Sequence, residues 1–173
     1  MSFLVVLGID PGYAIVGWGV ISFNGVNYAP LGFGAVTTDA GVNFNLRLEH
    51  IYDELDLIIK QAKPDAMAIE KLYFQNNQKT AINVAQARGV ILLAAQKNNV
   101  PVFEYTPLQV KMAVTGYGHA KKPQIMEMTR RLLKLKEVPK PDDTADALAM
   151  AITHTQAAGT NLKAMIFKRN QQQ

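Results

Sequence analysis

The 173-residue chain has no cysteine, one tryptophan and only two serines, Ser2 and Ser22. Without cysteine there are no disulfides, thiolate metal sites or thiol nucleophiles, which agrees with a reducing, cytoplasmic setting. Neither serine has a histidine placed to activate it, so a serine-hydrolase mechanism is set aside. Charged residues are sparse, at 18% against 49% hydrophobic, a globular composition and not a disordered one. No apolar run is long enough to span a bilayer, and no membrane partner is expected. The opening MSFLVVLGIDPG lacks a basic n-region and a small-residue cleavage site, so it reads as a strand and not a signal peptide. The net charge of +4 leans mildly toward polyanionic partners.

What is present orders itself along the chain. Phe3 to Ile9 is a continuous β-rich apolar run that ends at the turn Asp10-Pro11-Gly12. Ala14 to Phe23 and Pro30 to Thr38 predict two more strands, joined by connections short enough for antiparallel hairpins. Leu48, Ile51, Tyr52, Leu55, Ile58, Ile59 and Ala62 keep a 3.6-residue period that Pro64 stops. A short strand, Ala66 to Ile69, leads into Glu70. Gln78 to Lys97 predicts a helix apolar on more than one face, sandwiched in the fold or used in a subunit contact. Val100 to Tyr105 is the next strand, Thr106 an N-cap with Pro107 behind it, and Lys122 to Leu135 a basic helix. A final helix is expected from Asp143 to Ala158. One domain over 1–158 and a polar, basic, flexible tail over 159–173 are therefore expected. Strands in a run, then strands alternating with helices, predict an α/β layered fold with a mixed sheet, antiparallel first and parallel after.

In that frame four acids carry the chemistry. Asp10 and Glu70 each close a predicted strand, and their carboxylates meet if the strands are neighbours. Asp143 and Asp146, spaced i and i+3 in PDDTADALAMA, project from one helix face. Hard oxygen donors without cysteine suit Mg²⁺ or Mn²⁺ better than Zn²⁺. Two such ions roughly 3.5–4 Å apart would clamp the attacking and leaving oxygens of a phosphoryl displacement. Taken singly, Asp10 could serve only its turn, Glu70 an ion pair with Lys71, and Asp143 an N-cap. The residues alone also leave open an ATP-dependent sugar kinase or chaperone-type ATPase, whose phosphate motif begins with a similar GIDxG turn, and a ribonuclease acting on RNA–DNA hybrids.

GIDPG, AIEKLYF, AQARGV, YTPLQVK and DDTADALAMAITH occur in this order over about residues 3–158. Together they resemble the RuvC family of Holliday-junction resolvases. The resemblance implies a ribonuclease H-like fold with a mixed five-stranded sheet, a homodimer, Mg²⁺-dependent hydrolysis and four-way DNA junctions as substrate. It assigns the catalytic and metal-binding acids to Asp10, Glu70, Asp143 and Asp146, the DxxDA spacing choosing Asp143 over its neighbour Asp142. It further implies paired symmetric nicks and cooperation with the RuvA–RuvB branch-migration complex. Asp10 is expected to bridge both ions, and Asp146 to be ligated less directly than Asp143.

DNA contacts are expected from several residues. The resemblance places Tyr73, followed by Phe74, where an aromatic stacks at the crossover, and Lys111 and Lys122 near the scissile phosphate. Arg88 and Lys121 are further candidates. The TGYGHAKK segment, with two glycines, His119 and two lysines, suits a loop that grips a backbone. His50 and His154 are read as structural. The apolar Gln78–Lys97 helix is the expected dimer seam.

Overall fold

The computed structural model describes residues 3–72 and 78–170, with side-chain detail for 3–72 and 80–158. Five strands form one mixed sheet: β1 (Leu4–Asp10), β2 (Ile15–Phe23), β3 (Tyr28–Thr37), β4 (Ala66–Glu70) and β5 (Val102–Tyr105), in the order β3-β2-β1-β4-β5. The first three are antiparallel, while β4 and β5 join in parallel. This is the ribonuclease H-like arrangement that the sequence predicts. Its parallel half is fed by right-sized crossovers through α1 (Phe44–Ala62) and α2 (Gln78–Lys97).

Period-2 alternation along β1 splits the core into two layers. Leu7 and Ile9 point to one face, where they pack with Ile51, Leu55 and Ile59 of α1 and Ile91 and Ala94 of α2. Leu4 and Val6 point to the other, packing with Leu148 and Ile152 of α5 (Asp142–Asn170) and Val110 and Val114 of α3 (Pro107–Thr115). Gly8, Gly17 and Gly19 also face α5, and the helix lies almost on the sheet backbone. A Cβ at Gly8 would come within 1.9 Å of the Ala147 carbonyl oxygen. Such strand glycines mark the close approach of a second backbone.

Local signals set the element ends. Asn43 caps α1 by accepting from the Asn45 N–H, and Lys63, in the left-handed region at φ 47°, ends it ahead of Pro64. Thr106 and Gln109 form a reciprocal capping box around Pro107, as the sequence indicates. The basic helix α4 (Lys122–Leu132) stops short of the predicted Leu135, because Lys134 takes a positive φ of 54°. In contrast, α5 continues past the expected end at Ala158 to Asn170. Once a helix is nucleated, extending it through residues such as Leu162, Lys163, Ala164 and Met165 is easy. Among the described residues no helix is long and apolar enough to cross a membrane.

Candidate active site

β1 and β4 lie side by side in parallel register, Ile9 opposite Ile69, so Asp10 and Glu70 leave the sheet together at one end. On its other side Asp10 is paired with Gly17 of β2. The missing side chain at Gly17 lets the first turn of α5 descend there: a Cβ would sit 2.0 Å from the Asp143 carbonyl oxygen. Asp143 is thereby carried next to Asp10, and Asp146 follows one turn later on the face turned to the strand ends. A helix start, with its unpaired N–H groups, also favours acidic residues.

This crowding has an electrostatic signature. Burial, then the charges of Asp146, Asp143 and Glu70, push the Asp10 carboxyl from its ordinary 3.8 to about 7, with Lys122 acting in the opposite sense. Glu70 is raised too, by burial and then Asp146. The nearby cation is Lys122 at the start of α4, whose Nζ lies 2.8 Å from Asp146 and 3.9 Å from Asp142. Its own proton is held more tightly, first through the hydrogen bond to Asp146. One ammonium does not offset this much negative charge, and Asp10 registers the imbalance.

The acids open onto a cavity of about 490 Å³ lined by Asp10, Glu70, Asp146, Lys111, His119 and Lys122, among others. The comparison with known proteins accounts for this pairing of buried carboxylates with a basic rim. Residues 6–154 match the family model described as crossover junction endodeoxyribonuclease RuvC. The chain belongs to the RuvC family.

RuvC relatives match over most of their length. The Brevibacillus brevis crossover junction endodeoxyribonuclease RuvC is 56% identical over 151 residues, 87% of this chain and 91% of that one. The Fusobacterium nucleatum RuvC is 53% identical over 157 residues, 91% of this chain and 83% of that one. Among solved structures, Thermus thermophilus RuvC in complex with Holliday junction substrate superposes with a TM-score of 0.88 at 37% identity. That match covers 91% of this chain and 96% of the Thermus chain.

Of the residues the sequence singles out, Asp10, Glu70, Asp146, Lys111, His119, Lys121 and Lys122 all line the cavity. Asp143 is not in the lining and acts on Asp10 through its charge. Of the helix pair, Asp146 is the one that faces the cavity. Arg88 stands elsewhere, its largely buried side chain paired with Glu104 of β5. Tyr73 and Phe74 lie outside the described residues. His154 is buried, its Nδ1 2.7 Å from the Tyr105 hydroxyl, whereas His50 is exposed on α1.

Sequence reasoning missed the clamp behind Asp10. Arg47 is buried on α1; its Nε donates to the Thr38 hydroxyl at 2.8 Å and its Nη2 to the Tyr13 carbonyl at 3.3 Å. The Thr38 hydroxyl donates to that same carbonyl at 2.5 Å, and the guanidinium lies 5.0 Å from the Tyr13 ring centroid. The turn that starts at Asp10 is therefore tied down at its far end. An arginine on a helix that reads as amphipathic gives no sign of this in the sequence, because its partners Thr38 and Tyr13 belong to other elements.

Proposed function

We propose that this chain is a bacterial, cytoplasmic, structure-specific endonuclease that resolves Holliday junctions by paired symmetric nicks. The observation that carries the reading is the meeting of Asp10, Glu70 and Asp146 on a cavity rimmed by Lys111, Lys121 and Lys122, in a member of the RuvC family. Carboxylates supply the hydrolytic chemistry and lysines the welcome for a phosphodiester.

Asp10, Glu70, Asp143 and Asp146 would hold divalent metal. Among the described residues no three acidic or histidine side chains stand close enough to hold an ion as they are. The donor set nevertheless fits: all its donors are hard oxygens, and the burial and crowded negative charge that lift Asp10 to about 7 are what a divalent cation offsets. Two Mg²⁺ ions, replaceable by Mn²⁺, would supply charge neutralisation and water activation for in-line displacement. The chain's own groups do the rest. Lys122 sits with Asp146 where a phosphate would arrive, and Lys111 and Lys121 add positive charge around it.

A substrate with two-fold symmetry calls for a dimer. The α2 face bearing Ile82 and Leu93, 60% and 51% exposed, offers a seam, and a Cβ at the outward Gly89 between them would meet nothing. Partnership with a RuvA–RuvB complex belongs to the same reading. The test is a cleavage assay with a mobile four-way junction, a linear duplex and an RNA–DNA hybrid, alongside light scattering. Mg²⁺-dependent symmetric cuts on the junction and a dimer mass are expected. Cleavage of the hybrid alone, or a monomer fully active on junctions, would refute the proposal.

A further inference from the structure

The connection between α3 and α4 is a built ridge. Gly116 closes α3 in the left-handed region at φ 71°. The Thr115 hydroxyl donates to the Lys111 carbonyl at 2.7 Å and accepts from the Tyr117 N–H at 3.1 Å. The Tyr117 carbonyl in turn accepts from the Ala120 N–H at 3.0 Å. With its backbone held at both ends, Tyr117 keeps its ring 56% exposed, 5.6 Å from the His119 ring.

That ridge separates two hollows. His119 lines the carboxylate cavity, Tyr117 lines a second one of about 470 Å³, and Ala120 borders both. The second hollow offers apolar surfaces from Tyr117, Pro123 and Met128 and polar groups from Gln124 and Arg131. The Gln124 carbonyl oxygen already accepts from the Lys121 N–H at 2.8 Å, which leaves its amide N–H groups to donate. Glu127 is taken up by Arg130 and Arg131, while the Nη groups of Arg131 extend past its Nε bond to Glu127. The hollow is therefore flat-sided, apolar in its walls and rich in donors at its edge.

We propose that the ridge receives the nucleobase next to the scissile phosphate. The phosphate enters the carboxylate cavity, the adjoining base stacks on Tyr117, and its edge meets Gln124 and Arg131. Stacking tolerates any base, since every base has a π face. The donors favour a base edge that carries a carbonyl acceptor, as thymine and guanine do. This rests on the resolvase reading above and extends it from the chemistry of cutting to the choice of where to cut.

The test uses the full-length protein and a mobile junction carrying 2-aminopurine beside the mapped cut. Tyr117→Ala is expected to lower cleavage roughly 5- to 100-fold, the range for loss of one aromatic–base stack, on all sequences alike. Bound 2-aminopurine should be dimmer with the wild type and Tyr117→Phe than with Tyr117→Ala, and Tyr117→Phe should cleave normally. Arg131→Ala should flatten the preference among bases at that position. Tyr117→Ala that cuts and quenches like wild type overturns the inference alone, as does lost cleavage with quenching and preference unchanged. A wild type that neither binds nor cuts junctions overturns the resolvase reading and this inference with it.

Discussion

Asp10→Asn should make the metal-free protein more stable while abolishing its activity. An acid whose folded pKa is raised keeps its proton in the fold at a pH where the unfolded chain has already lost it. Stability therefore falls as pH rises from 3.8 through about 7, and the full penalty is present above that. At about 1.4 kcal/mol per unit, the rise from 3.8 to about 7 corresponds to a penalty of about 4 kcal/mol. Burial is the first cause of the rise and a polar Asn at this position stays buried, so roughly half, about 2 kcal/mol, is the working expectation. For a chain of this size that is a rise in Tm of roughly 4–8 °C. The assay is thermal unfolding of both proteins in EDTA at pH 8 and pH 4. The gain should appear at pH 8 and shrink to about 0.5 kcal/mol or less at pH 4, where Asp10 is protonated in the fold and only partly ionised in the unfolded chain. Mg²⁺ should then raise the Tm of the wild type more than that of the variant. An Asn variant no more stable at pH 8, or equally stabilised at both pH values, would refute the electrostatic reasoning.

Lys122→Met, which keeps the stem and removes the ammonium, should slow junction cleavage about 100-fold or more, with gel-shift binding in Ca²⁺ largely kept. Thr38→Val should cut cleavage on the order of 10-fold without changing junction affinity, because it loosens the turn behind Asp10 and not the DNA surface. Equal single-turnover rates would remove the clamp from the account. Gly8→Ala, forced against the Ala147 carbonyl, should destabilise by about 3 kcal/mol or more in urea unfolding, against little change for Ala at the exposed Gly41, where the nearest atom to an added Cβ is 3.6 Å away.

Much of the site was legible because Asp10 and Glu70 end apolar runs that can only be buried strands. Thr106-Pro107 and the limits of α2 were equally plain, since caps and breakers act within a few residues. What escaped depends on partners distant in sequence. Arg88 beside Gly89 reads as a DNA-facing cation, and its ion pair with Glu104 on β5 leaves no trace in the sequence. Arg47 reads as a surface residue of α1, yet it is 8% exposed and bound to Tyr13 and Thr38. The i, i+3 spacing put Asp143 and Asp146 on one face but could not say which faces the cavity. That depends on how deeply α5 settles on the sheet, and so on glycines whose sequence neighbourhood says only "strand".

Those glycines also determine which parts of the site can adjust. Gly8 and Gly17 put backbone against backbone, so the main-chain separation of Asp10 from Asp143 and Asp146 is machined into the fold, and only their side-chain rotamers are left to adjust. Glu70 and Lys122 come from β4 and α4, outside that contact. Tuning to a different ion or strand geometry should therefore arise through Glu70, Lys122 and their neighbours, while the glycine seat under α5 stays closed to change.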